Sequence, residues 1–313
     1  MPAAKTGIYD FLVITGPTAS GKTELAARVA AELGAEIISA DSRQVYRGMD
    51  IGTGKDLGDY TVDGKVIPVH LIDIAHPGYK YNVFEFQHDF AEVYSSLRSR
   101  NIFPIVCGGS GLYIDSIVSG YRMLEVPPNP SLRAELENKP IEELTEILRS
   151  MRPLHNRTDT DSRKRAIRAI EIEIYSRAEE ANQSSFPELK PLVTGISIDR
   201  ETRRANISKR LRQRLDSGMV EEVRALLEKG VKEEILIYYG LEYKYITLYL
   251  TGRLTHDEMV ASLEIAIHQF AKRQMTWFRG MEKKGTMIHW IDGSLQMARK
   301  IEIILGLLRN NPI

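Results

Sequence analysis

Eight consecutive residues carry the plainest chemistry in this chain. Gly16, Pro17, Thr18, Ala19, Ser20, Gly21, Lys22 and Thr23 fit the pattern G-x-x-x-x-G-K-[ST]. Glycines let such a loop curl so that successive N–H groups converge on phosphate oxygens, and a helix starting at its end adds partial positive charge. Lys22 supplies a point charge to the terminal phosphate, and the Thr23 hydroxyl is placed to ligate Mg²⁺. The loop therefore predicts a bound diphosphate or triphosphate. It leaves open whether a nucleotide is cleaved, a phosphoryl group moved or a diphosphate expelled. A nucleotide hydrolase also needs an Asp for its metal at the end of another strand. His70, Leu71, Ile72 and Asp73 offer one, with no switch or sensor signature beside it.

A second candidate is Asp41, directly after the apolar run Ile37, Ile38, Ser39 and Ala40. Ligands of open α/β sheets bind beyond the carboxyl edge of the strands. An Asp there can take a proton from a nucleophile attacking beside bound phosphates. The same position also suits Asp41 or Ser42 as the cap of a following helix, and position alone does not choose. A third feature is charge. The chain balances 42 Lys and Arg against 42 Asp and Glu, yet residues 149–232 carry 19 against 13. A basic middle is what a polyanion-binding surface or a solvated helical face would show.

Elements that would position these residues can be read from the pattern. Phe11–Thr15 and Glu36–Ala40 read as strands, with a helix over Thr23–Leu33 between them. Val66–Ile74 and Ile102–Cys107 read as further strands flanking a helix over Glu85–Arg100. Alternating strands and helices predict an α/β fold, a P-loop parallel sheet flanked by helices. At Val126, Pro127, Pro128, Asn129 and Pro130 the texture changes. Ser131–Arg152 and Arg163–Arg177 read as charged helices, and a polar stretch over Glu179–Glu188 leads to a strand over Leu192–Ile198. From Glu201 the pattern is mostly helical, including Asp257–Arg279. We expect a core of residues 1–121 and 189–313, with residues 122–188 inserted as a small helical domain.

Composition narrows the class. With 43% hydrophobic and 27% charged residues over 313, the chain has the makeup of a globular protein and not of a disordered one. Its apolar runs are far shorter than the roughly 18–20 residues of a membrane span. Its first residues lead straight to a strand without the apolar core of a signal peptide. A single cysteine, Cys107, excludes an internal disulfide, and in an apolar strand it reads as core. The expectation is a cytoplasmic monomer that neither crosses nor binds a membrane.

The blocks together are specific. Gly16–Thr23, then Ala40-Asp41-Ser42-Arg43-Gln44, then Asp50–Lys55 closely resemble the opening of the tRNA dimethylallyltransferases, or tRNA isopentenyltransferases. The resemblance continues in His70–Asp73, Gly108–Tyr113, Arg165–Glu171 and Ala271–Arg279, in the family's order over most of the chain. That family moves a dimethylallyl group from dimethylallyl diphosphate to N6 of adenosine 37, beside the anticodon. The resemblance implies that residues Gly16 to Thr23, with Mg²⁺ on Thr23, cradle a leaving diphosphate, joined by Arg210. It implies that Asp41 is the general base and that Ser110 takes the place of a family Thr at the reacting centre. It also implies a tRNA anticodon stem-loop as partner, met by Asp41, Ser42, Arg43, Gln44 and Ser110 and, through the insertion, by Arg133, Arg165 and Arg168. Asp199–Arg214, with seven Lys and Arg against two acids, would add phosphate contacts.

Some positions depart from the family pattern. Ile267 and His268 stand where Thr-Arg is usual, Leu241 and Glu242 replace Tyr-Lys after Gly240, and Asn206 replaces an arginine four residues before Arg210. These bear on which tRNAs are recognised. Three other readings stay in view: an adenylate isopentenyltransferase acting on free nucleotides, a small-molecule kinase with ATP in the loop, and a nucleotide-dependent RNA-binding module. For Trp277 and Phe278 we expect packing; Tyr238 and Tyr239 suit base stacking or the core equally.

Overall fold

A computed structural model describes residues 8–121, 123–154, 158–178 and 186–309. The chain divides into two compact units, residues 1–120 with 188–313, and residues 121–187.

In the larger unit, strand β1 (Phe11–Thr15) is buried along its length, as its apolar run Phe11–Ile14 suits in a sheet covered on both faces. Helix α1 (Lys22–Leu33) follows the glycine-rich loop, then β2 (Glu36–Ser39). The expected strand over Val66–Ile74 is much shorter. Thr61–Val62 (β3) and Lys65–Val66 (β4) form a hairpin around Asp63 and Gly64, both left-handed, as a tight two-residue turn requires. Only Val69–His70 (β5) joins the main sheet, because Leu71 (φ 60°) and Asp73 (φ 56°) turn the chain away. Helix α2 (Val83–Ser99) starts at a reciprocal cap between Asn82 and Glu85. Strand β6 (Pro104–Gly108) and helix α3 (Gly111–Val118) complete the first half.

The smaller unit holds α4 (Pro130–Glu137), α5 (Ile141–Met151) and α6 (Arg163–Ala178). One helix was expected over Ser131–Arg152. Pro140, in an extended conformation at the start of α5, disfavours helix at Lys139 and splits it. Leu136, Leu144, Leu148, Ile167 and Ile170 form the core of this unit. Most of the polar stretch over Glu179–Glu188, residues 179–185, lies outside the described residues.

The chain then supplies β7 (Pro191–Ser197), α7 (Arg200–Asp216), α8 (Met219–Glu228), α9 (Glu233–Tyr239), α10 (Leu241–Leu250) and the long α11 (His256–Lys283). Strand β8 (His289–Asp292) and α12 (Met297–Arg309) close it. The sheet order is β5-β2-β6-β1-β7-β8, every pair parallel. Leu12, Ile14, Ile37, Ile105 and Ile196 bury one face against Leu25 and Val29 of α1 and Ile304 and Leu308 of α12. Phe11 packs edge-on against Phe90 of α2. Because all six strands run one way, Thr15, Ser39 and Gly108 end at a single edge, where the chemistry-bearing loops emerge. No helix among the described residues is long and apolar enough to cross a membrane.

Candidate active site

The loops at that edge enclose a cleft of about 1290 Å³ within the larger unit. Its floor is the loop from Gly16 to Thr23. The backbone turns left-handed at Gly16, Ala19 (φ 60°) and Gly21 before α1 begins. Such alternation turns successive N–H groups into one concavity for an anion. A side chain at Gly16 would lie 3.0 Å from Ser20 Oγ and 3.2 Å from the Ile196 carbonyl, so glycine is required there. Ser20 Oγ is buried with no hydrogen-bond partner among the described residues. Burial draws the Lys22 ammonium below its usual range, with Arg210 and Arg214 adding and Cys107 and Asp41 opposing. Burial pushes the Cys107 thiol up to about 12, so it stays protonated and is no nucleophile at neutral pH.

Asp41 follows β2 into a turn and not a helix. One carboxylate oxygen accepts the Arg43 N–H at 2.9 Å, and the side chain lines the cleft. Ser110 sits at the end of β6, where its hydroxyl accepts the Ser42 N–H at 3.0 Å and meets Ser42 Oγ at 3.4 Å. Gly108 makes this approach possible, because a Cβ there would fall 2.2 Å from the Ala40 carbonyl oxygen. Ser42 and Ser110 are thus hydrogen-bonded to each other, and Asp41, next to Ser42 in the chain, lines the same cleft. Arg43 also lines the cleft. The Gln44 amide is used at both ends, accepting from Ser39 Oγ at 3.2 Å and donating to the Gly54 carbonyl at 3.0 Å.

Arg210 and Arg214 reach the cleft from α7, one turn apart, and share Asp56 at 3.0 and 3.4 Å. Burial, and then Arg210, lower the Arg214 guanidinium from its usual range. Asp56 ends a loop that Glu222 of α8 anchors. The Glu222 carboxylate accepts the N–H groups of Asp50, Ile51 and Gly52 at 2.8, 2.7 and 3.0 Å, and the Tyr243 hydroxyl at 2.6 Å. Buried Lys55 ties the same loop to Asp50 at 2.9 Å and to Asp73. Asp73 is therefore engaged structurally, and it does not line the cleft.

Several of these residues escaped the sequence reading. Gln274 of α11 accepts the Thr18 N–H at 2.9 Å and donates to the Gly109 carbonyl at 2.9 Å, so it clamps the phosphate loop to β6. It lies in the Ala271–Arg279 block, a signal in plain sight. Glu222 and Asp56 left no local sign. Among the departures, Asn206 contacts the Ala19 carbonyl at 3.4 Å, Leu241 and Ile267 line the cleft, and His268 of α11 faces Glu264 at 3.8 Å. Trp277 lines the cleft, whereas Phe278 is core.

In the smaller unit, Glu171 of α6 organises the arginines. It accepts from Arg133 at 3.0 and 2.8 Å, from Arg168 at 2.5 Å and from the Asn129 N–H at 2.6 Å. Burial alone would raise this carboxyl; Arg133, the Asn129 N–H and Arg168 outweigh it and bring it down to about 2. Arg168 also donates to the Val126 carbonyl at 2.8 Å. Arg165 is the most exposed of the three and pairs with Asp161 at 3.1 Å.

For Mg²⁺ the donor chemistry fits. The Thr23 hydroxyl lies in the cleft beside the phosphate loop with the carboxylates of Asp41, Asp56 and Asp59, all hard oxygen donors.

The sheet, the loop and the cleft define an α/β protein of the P-loop class, with an acid and a hydroxyl lining the cleft beside that loop. The family model "IPP transferase" matches residues 44–281, and "Isopentenyl transferase" matches residues 9–62. The tRNA dimethylallyltransferase 2 of Bacteroides fragilis is 60% identical over 301 residues, 96% of this chain and 98% of its own. The tRNA dimethylallyltransferase 1 of Parabacteroides distasonis is 60% identical over 302 residues, with the same coverage. Among solved structures, the tRNA isopentenylpyrophosphate transferase of Bacillus halodurans superposes with a TM-score of 0.68 at 28% identity, covering 96% of each chain. A eukaryotic dimethylallyltransferase acting on tRNA superposes at 0.77 and 22% identity over 97% of this chain and 80% of its own, a likeness of fold. The chain belongs to the IPP transferase family.

Proposed function

We propose that the chain transfers a dimethylallyl group from dimethylallyl diphosphate to N6 of adenosine 37 in the anticodon loop of tRNA, releasing diphosphate. The observation that carries this reading is the sharing of one cleft by the phosphate loop and the Asp41–Ser42–Ser110 group. The relatives named tRNA dimethylallyltransferase support it.

The reaction makes an N6–C1 bond and breaks the C1–O bond to diphosphate. An exocyclic amine conjugated to adenine is a poor nucleophile, so Asp41 takes the N6 proton as the bond forms. The Ser110 hydroxyl, held by the Ser42 N–H, fixes the amine's approach. The departing diphosphate gains charge as the C1–O bond opens. The loop N–H groups, Lys22 and Arg210 stabilise it, with Arg214 behind Arg210. Thr23 would hold Mg²⁺, which would supply further charge neutralisation when bound. Because the target base must leave the loop's stack to enter the cleft, Arg43 and Gln44 are assigned to its neighbours. Arg133, Arg165 and Arg168 are assigned to the RNA backbone.

The test is transfer of label from radioactive dimethylallyl diphosphate to an unmodified anticodon stem-loop, with AMP and a stem-loop lacking the target adenosine alongside and no ATP. Label on the complete stem-loop alone is expected. Label on AMP, or a requirement for ATP, would overturn the reading in favour of a free-nucleotide enzyme or a kinase.

A further inference from the structure

The two adjacent tyrosines before Gly240 have opposite fates. Tyr239 is fully buried against Tyr46, ring centroids 4.3 Å apart, while Tyr238 is 43% exposed. The buried ring fixes the exposed one. Tyr239's hydroxyl donates to the Tyr79 carbonyl at 2.9 Å and accepts the Gly78 N–H at 2.5 Å, and Tyr46's hydroxyl accepts the Tyr81 N–H at 3.2 Å. The segment from Gly78 to Tyr81 is thereby pinned to the end of α9. That segment carries Lys80, whose ammonium lies 5.5 Å from the Tyr238 ring centroid. On the same ring, the Arg43 guanidinium lies 5.6 Å from the centroid, and it reaches the Tyr238 carbonyl at 3.5 Å. Arg43 itself lines the cleft, with its N–H on Asp41. A half-exposed tyrosine ring and two cations from separate loops thus converge beside the cleft-lining Arg43, which is two residues along the chain from Asp41.

We propose that Tyr238, with Arg43 and Lys80, is a stacking platform for a nucleobase next to the flipped-out target adenosine. Resting on the function proposed above, this names the RNA surface of that same site. The chemistry matches an RNA loop: unstacked bases settle on aromatic rings and guanidinium planes, while flanking cations take the phosphates. A packing tyrosine would be buried like its neighbour, and a tyrosine serving only solubility would not gather two cations from different loops. The preformed geometry also offsets part of the cost of turning a base out of its stack, since the neighbouring base regains a partner.

The test uses the full chain and stem-loops carrying 2-aminopurine at either position flanking the target adenosine. The wild type should quench the probe at one of them, and Tyr238→Phe should keep the quench. Tyr238→Leu should lose it and bind the stem-loop about 5- to 100-fold more weakly, with affinity for inorganic diphosphate unchanged. Lys80→Ala should flatten the salt dependence of RNA binding by about one phosphate contact. Wild-type quenching and affinity in Tyr238→Leu would overturn the platform, as would an equal loss of diphosphate binding, which marks a packing role. Absence of stem-loop binding by the wild type would instead overturn the functional reading itself, and the platform with it.

Discussion

Glu171→Gln removes one negative charge from the centre of the smaller unit, and its cost can be worked from the structure. The Glu171 side chain is 2% exposed and holds Arg133, Arg168 and the Asn129 N–H. Its carboxyl, brought from an ordinary 4.5 to about 2, contributes up to about 3 kcal/mol at neutral pH. Glutamine keeps an acceptor for Asn129 but leaves two guanidinium groups facing a neutral amide. Amide hydrogen exchange across residues 130–137 and 163–178, corrected for intrinsic rates, should therefore quicken roughly a hundredfold at pH 7. The pH dependence has a definite sign. A depressed carboxyl stabilises fully above the unfolded value near 4.5, and that stabilisation fades as pH falls towards 2. The gap between wild type and variant should hold from pH 7 to 5 and close below. The cleft is built from the larger unit, so diphosphate affinity should not change. Equal protection of α4 and α6 in both proteins at pH 7, or a gap independent of pH, would refute the assignment of Glu171 as the organising charge.

Three further outcomes follow from the geometry. Glu222→Ala strips three N–H groups and the Tyr243 hydroxyl of their common acceptor, which costs about 3 kcal/mol in a hydrogen-bonded charged site. Its thermal midpoint should drop, and diphosphate titration by calorimetry should show weaker binding as Asp56 and the arginines lose their frame. Gly108→Ala forces a methyl into the Ala40 carbonyl, so soluble yield or melting temperature should fall sharply; a wild-type melt would contradict the contact. Arg165→Glu, at an exposed position paired only on the surface, should leave stability within about 0.5 kcal/mol while filter binding of the stem-loop weakens and its salt slope falls.

The phosphate loop was legible because its chemistry is contiguous. Eight residues in a row define it, and the strand before and the helix after are both strongly patterned. The α/β class was legible for the same reason, since β1, β2, β6 and β7 are short apolar runs between helices. What escaped depends on residues far apart. Glu222 meets Asp50, Ile51 and Gly52 across some 170 positions, and Gln274 meets Thr18 across 256. No local pattern announces a carboxylate destined for another segment's N–H groups. Asp41 was placed by its strand, but that a turn and not a helix follows it, with the Ser110 hydroxyl on the Ser42 N–H, depends on a contact across 68 positions. The overlong strand at Val66–Ile74 has a backbone cause: left-handed Leu71 and Asp73 end it, and neither residue type advertises that conformation. Strand β8 is short and only partly buried, too little pattern for an edge strand to declare itself.

The mechanism proposed above turns on Asp41 taking the proton of the attacking amine. Single-turnover transfer from dimethylallyl diphosphate to the anticodon stem-loop, wild type against Asp41→Asn, with both ligand affinities measured beforehand, addresses it most directly. Asp41→Asn should bind both substrates as the wild type does, with a rate constant lower by at least about 10²-fold. An Asp41→Asn enzyme that binds both and turns over at the wild-type rate would contradict it.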